Sequence, residues 1–234
     1  MKYLTNLIIG IVLLAFLAWN PTPLQILELK TFDWLMASKE TVQDNMVLLV
    51  DLDEEIVEAY GGYPLPRSLY ATLINKTQGT AGITVLMPDP DVRGAVEDAI
   101  LAKTLMDNPA VLAYTASNQA TKVGPHVGTA QLGGDPKEWL LNYPGILRQQ
   151  HNAVGVGLIN ASPELDGVVR RLPLVVSSGN KLFPSFALEM LRVGVGDPSY
   201  QISTKETGVE WIRIPSFPLI KTDSNSRILP INQK

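Results

Sequence analysis

Residues 47–55 read VLLVDLDEE, an apolar run that stops abruptly in four acids among five residues. An unbroken succession of valines and leucines of this length fits a strand buried on both faces, as in a parallel sheet. Ligands and polar side chains collect where loops leave the carboxyl ends of such strands. The stretch therefore predicts a strand over 46–51 that delivers Asp51 and Asp53 to the rim of a sheet.

Two kinds of chemistry compete for those acids. A strand ending in Asp-x-Asp resembles the haloacid-dehalogenase phosphohydrolases, which pair a nucleophilic Asp with an acidic one and a magnesium ion. Here Glu55 stands where such enzymes carry Thr or Val, and no downstream lysine or acidic-pair motif follows. The plainer expectation is a polar rim, with the acids pairing to Arg67 or capping a helix that begins near Glu54. A second acidic patch, Pro88-Asp89-Pro90-Asp91, follows another strand and precedes Asp98. Two acidic loops on one sheet edge could hold a divalent cation or a cationic ligand.

Outward from this point, strands and helices alternate. Strands are predicted at 82–87, 110–115 and 153–159, and helices at 67–76 and 94–107, which favours an α/β fold with a mostly parallel or mixed sheet flanked by helices. Residues 116–152, rich in Gly, Asn, Gln and Pro, read as a surface excursion with a short helix near 136–149. The segment 167–191 reads as a strand, a Gly-Asn turn and a helix from about Ser185, and 209–215 as a last extended piece. Asp166-Gly167 forms a tight turn ahead of Arg170 and Arg171, whose side chains on a strand would point to opposite faces. The glycines of GVGLINAS do not follow the dinucleotide-binding spacing.

The 234 residues carry a net charge of −4, no cysteine, two histidines and a single adjacent arginine pair. Nucleic-acid binding, disulfides and a thiol nucleophile are thereby disfavoured or excluded. Lys2 precedes residues 4–19, of which only Thr5 and Asn6 are polar. As a helix this run spans about 24 Å, close to a bilayer core. Phe16 spoils the small-residue pattern of a cleavage site after Ala18. An uncleaved anchor over residues 1–22 is expected, with the remainder translocated. Residues 23–36, with Glu28, Lys30 and Asp33 off the apolar stripe, predict a membrane-proximal helix.

The ordered blocks LELKTFDWLM, VLLVDLDEE, GGYPLPR, VGVGLIN, SPELDGVVRRLPL and LFPSFALEML together resemble the second type of cyclase/histidine-kinase-associated sensory extracellular (CHASE) domain, from about Leu24 onward. The resemblance implies the extracytoplasmic input domain of a bacterial receptor, followed in such receptors by further transmembrane helices and a cytoplasmic cyclase or kinase module. The family's recurrent polar positions fall on Asp51, Asp53, Pro66, Arg67, Asp98, Asp166, Gly167, Arg170 and Ser185. Where the family has an acidic block ending its second strand, this chain reads LMPDPD, which moves the acid to Asp89 or loses it. The family's later glycine-rich strand is not found before PINQK, so the domain over 38–234 is expected to be incomplete or a one-anchor subunit.

The resulting expectation is a membrane-anchored sensory module in the periplasm or an equivalent lumen, without catalysis, metal or cofactor. An unknown small-molecule or protein ligand would bind at Asp51, Asp53, Arg67, Asp98, Asp166 and Arg170. The bilayer and a homodimer or larger membrane complex are the expected partners. The rival expectations are an envelope assembly subunit and an Asp-x-Asp phosphohydrolase.

Overall fold

The computed structural model describes residues 3, 6, 10, 18–39, 46–118, 128–134, 142–147, 151–179, 181–205 and 208–222. The chain forms two compact units, residues 1–51 with 163–170, and residues 52–162 with 171–234.

In the smaller unit, α1 (Thr22–Ala37) starts behind Pro21, with a second proline in its first turn. A proline there forfeits an N–H that a helix start leaves unused in any case. Of the expected anchor over residues 1–22, only residues 3, 6, 10 and 18–22 are described. No helix among the described residues is long and apolar enough to cross a membrane, so the structure lends the anchor no support. The expected strand over 46–51 is also absent: these residues have no regular structure, and Met46 to Val50 are 62–89% exposed. An apolar run specifies burial only if a sheet edge or helix is there to receive it. Residues 163–170 form a turn closed by the Gly167 N–H donating to the Glu164 carbonyl at 2.9 Å. Gly167 supplies the positive φ of 81° that the turn requires.

The larger unit runs α2 (Glu54–Ala59), α3 (Arg67–Lys76), β1 (Ala81–Ile83), α4 (Ala95–Asp107), β2 (Ala110–Ser117), β3 (Thr129–Gly133), β4 (Asn142–Tyr143), β5 (Gly145–Leu147), β6 (Gly155–Leu158), β7 (Val175–Ser178), β8 (Lys181–Pro184), α5 (Phe186–Gly194), β9 (Tyr200–Lys205), β10 (Gly208–Arg213) and β11 (Ile220–Lys221). Strand β2 is the centre of the first sheet, pairing in parallel with β1 and β6 and antiparallel with β5. A second sheet has the order β11-β10-β9-β3, and a third the order β4-β7-β8. The architecture is thus mixed α/β, with helices against the sheets.

Period-two alternation sorts the residues of β2 by face. Ala110, Leu112 and Tyr114 join Tyr70 and Ile74 of α3 and Leu101 and Leu105 of α4 in the larger core. Helix α5 packs on β6 and β2, and there the chain has no side chain to spare. A Cβ on Gly157 would lie 2.5–2.8 Å from the backbone of Phe186 and Ser185, and one on Gly155 2.7–2.9 Å from the side chains of Val193 and Glu189. The GVG run is therefore a close-packing device between strand and helix. A second core of Leu188, Tyr200, Ile202, Val209, Ile212 and Ile214 lies between α5 and the second sheet.

Strand β1 is shorter than the predicted 82–87 and ends at Ile83, leaving 84–90 as a loop. The expected helix near 136–149 is not formed where the chain is described, since 142–147 are β4 and β5. Residues 135–141 and 148–150 lie outside the described residues, as does His126. Arg170 and Arg171 are on no strand, so the alternation expected of them does not apply.

Candidate functional site

Helix α3 starts at Arg67 behind Pro66, which offers no side-chain cap. The free N–H groups of its first turn are served from elsewhere in the chain. Asp91 Oδ2 accepts from the Arg67 N–H at 3.3 Å, and Glu97 Oε2 accepts from the Ser68 N–H at 2.7 Å. Negative charge at this end of a helix is favourable in its own right. Asp91 is itself placed by its neighbours: its Oδ1 accepts from the Arg93 N–H at 2.8 Å, and its own N–H donates to Asp98 Oδ2 at 3.0 Å.

Into this acidic nest reaches the Arg67 side chain, 7% exposed. Its Nη2 donates to the Asp89 carbonyl at 3.1 Å. Its Nε lies 3.6 Å from Asp98 Oδ1 and 3.9 Å from Asp91 Oδ2, and makes no hydrogen bond. Asp98 is held in addition by His151, whose Nε2 is 3.1 Å from Oδ1. Burial pushes the His151 pKa down, with the Arg67 charge acting in the same direction and Asp98 opposing both. A neutral ring donating from Nε2 to Asp98 follows.

Beside Arg67 lies a cavity of about 210 Å³, walled by Tyr63, Tyr70, Met87 and Val92 and by the 86–90 loop that the early end of β1 releases. Asp89 stands exposed at this wall, while Tyr70 is buried and its hydroxyl pKa is raised by that burial. No group of three His, Asp or Glu among the described residues is placed to hold a metal.

The smaller unit holds a second arginine, of a different character. Arg170, 4% exposed at its side chain, is gripped by Asp33 of α1 through Nε at 2.6 Å and Nη2 at 2.8 Å. Asp166 grips it from the turn, through Nη1 at 2.7 Å and Nη2 at 2.6 Å. Lys30 adds a contact to Asp166 at 3.4 Å. The hydrogen bonds and charge of Arg170 hold the carboxyl of Asp33 below the usual range and that of Asp166 well below it, and the same partners push Arg170 up. The result is a clamp between the helix and the 163–170 turn.

Of the six expected site residues, Arg67 and Asp98 come together in the larger unit, and Asp166 and Arg170 in the smaller. Asp53 joins neither. Its Oδ1 accepts from the Ile56 N–H at 3.1 Å as the N-cap of α2, the plain role the sequence offered. Asp51 is exposed and outside both clusters. The acidic partners of Arg67 are Asp91 and Asp98, rather than Asp51 or Asp53. Asp98 does not simply face water, since it is held by Arg67, His151 and the Asp91 backbone.

Sequence reasoning also missed a buried network on α5. Glu189, 0% exposed, receives two bonds from Arg192, one from the Val156 N–H at 3.1 Å and one from the Tyr200 hydroxyl. Arg192 also donates to the carbonyls of Val154 and Asp197. An i,i+3 Glu-Arg pair in a helix was the available signal, but it looks the same on an exposed face.

A mixed α/β domain with an arginine-walled pocket and a separately clamped leading helix defines a class of module before it names a family. The CHASE2 domain model matches residues 8–232, and the chain belongs to that family. CHASE2 is an extracellular sensory domain of signalling receptors, not a catalytic one. Comparison with curated proteins and with solved structures gave no match.

Proposed function

We propose that this chain is the input domain of a membrane-anchored receptor, and that it binds a small ligand in the pocket beside Arg67. The observation that carries the reading is a buried guanidinium that lines a cavity and makes a single side-chain hydrogen bond, to the Asp89 carbonyl. Structural arginines saturate their donors, because an unsatisfied buried donor costs about 1–3 kcal/mol. One left slack beside an open pocket is poised for an incoming acceptor. A ligand held there would favour one arrangement of the 86–93 loop and the start of α3 over another, which is how binding shifts a two-state equilibrium.

The apolar run over residues 4–19 supports anchoring in the membrane; on this reading the domain lies outside the cytoplasm and signals within a homodimer or larger membrane complex. Helix α1, clamped through Asp33 and Arg170, is the lever toward that anchor, and a cytoplasmic cyclase or kinase module is the output.

The test is a thermal-shift measurement on the full chain in detergent, titrated with a small-molecule extract of the source cells. Stabilisation that disappears in Val92→Trp, where a large ring fills the cavity mouth, supports the pocket. Stabilisation that survives this substitution places the ligand elsewhere and sinks the proposal.

A further inference from the structure

The class of ligand follows from the same pocket, on the reading that it is the sensing site. A guanidinium has five N–H donors. In Arg67 Nε is sealed from solvent against Asp98 and Asp91, at 3.6 and 3.9 Å, so a ligand can meet only the Nη edge, where the Asp89 carbonyl takes one donor. Planar, paired donors of this kind are matched best by a carboxylate, which accepts two parallel hydrogen bonds.

A simple anion is nevertheless a poor fit. Around Arg67 and Arg93 stand the carboxylates of Asp91, Glu97 and Asp98, and Asp89 is a further acid on the cavity lining. A bare negative charge entering this surplus would be repelled at close range, in surroundings where charges are weakly screened. The carboxylate must bring a positive charge of its own. Asp89 and Tyr63, both exposed and both on the cavity lining, supply an acid and an aromatic ring for it, and such rings attract ammonium groups. Size narrows the class further. The cavity, about 210 Å³, lies below the usual range of roughly 300–1,000 Å³ for ligand sites. A single residue's worth of atoms fits, and a peptide or a nucleotide does not.

We propose that the pocket takes a free α-amino acid as its zwitterion, with the carboxylate on Arg67, the ammonium between Asp89 and Tyr63, and the side chain against Tyr70 and Met87. The under-bonded arginine, the acidic surplus and the small apolar wall each account for one part of such a ligand.

The experiment uses the full chain in detergent, with calorimetric titration of the standard L-amino acids one at a time. For any that binds, the decarboxylated amine and the deaminated carboxylic acid of the same side chain follow. The expected result is binding of one or a few amino acids and loss of roughly ten- to hundredfold in affinity for both truncated probes and in Arg67→Lys. Equal binding of the amine or of the acid alone overturns the zwitterion, as does undiminished affinity in Arg67→Lys. The cell extract is run in parallel on wild type and Val92→Trp. Extract binding that Val92→Trp abolishes, with no amino acid binding, overturns the ligand class and leaves the pocket standing. Binding insensitive to Val92→Trp in both arms removes the pocket as well.

Discussion

Arg67 and Arg170 are each met by a pair of aspartates, and they differ in how well they are bonded. Arg170 makes four side-chain hydrogen bonds of 2.6–2.8 Å to Asp33 and Asp166. Arg67 reaches its aspartates only at 3.6 and 3.9 Å. A saturated fork resists rearrangement, because every alternative leaves a buried charge worse off. A slack one can exchange partners at little cost. The same residue types thus make a fastener in one unit and a receptive site in the other.

The comparison breaks most visibly if the acids are stranded. Arg67→Leu leaves Asp98 and the buried Asp91 facing an apolar side chain, and should destabilise the larger unit by about 3–5 kcal/mol in urea unfolding. Glu189→Leu should cost a similar amount by stranding Arg192, since that network is as saturated as the Arg170 clamp. Arg67→Lys should cost much less, because the charge remains while the fork is lost. If Arg67→Lys proved as damaging as Arg67→Leu, Arg67 would be a fastener too, and the contrast would collapse.

Next in size is Arg170→Lys, which cannot hold two carboxylates in fork geometry. Faster amide exchange in α1, with the larger unit's exchange unchanged, is the expected readout. Acid should act on the same clamp. Asp33 and Asp166 bind protons less readily when clamped, so their contribution is complete above the unfolded carboxylate value of about 3.9 and fades as the pH falls through their lower folded values. Unclamping of α1 above pH 5 would contradict this.

A smaller effect belongs to His151. Its pKa is lowered in the folded chain, so below about pH 6.5 the unfolded state takes up a proton that the folded state refuses. Stability should fall with pH from that point until the folded ring also titrates, and His151→Gln should flatten this part of the profile. The smallest change is Asp53→Ala, which removes a cap from a short exposed helix and should cost about 1 kcal/mol or less.

What could be read from the sequence was what local chemistry decides. Helix α3 occupies the predicted 67–76, α4 starts one residue late, and Ser185 caps α5 through the Leu188 N–H. Proline, glycine and serine punctuate these elements wherever they are placed in space. The strand and turn before α5 were read, but the second strand, β8, which pairs antiparallel with β7, was not. VLLVDLDEE failed because its hydrophobicity does not say whether a partner edge exists. His151 was illegible as a site residue because 53 positions separate it from Asp98. Glu189 and Arg192 gave no sign of burial, since the glycines that let β6 approach them lie more than thirty positions upstream. Arg67 and Arg170 were both singled out, but only distances reveal which is saturated.

The exposed strip from Met46 to Val50 has a consequence for handling the protein in solution. Five consecutive large apolar side chains facing water form a sticky patch. The chain's net charge of −4 opposes association at neutral pH, and that charge vanishes near the isoelectric point of about 5.2. Particle size measured by light scattering should therefore grow as the pH approaches this value. The growth should be suppressed when Leu48 and Leu49 are replaced by lysines that restore repulsion along the strip.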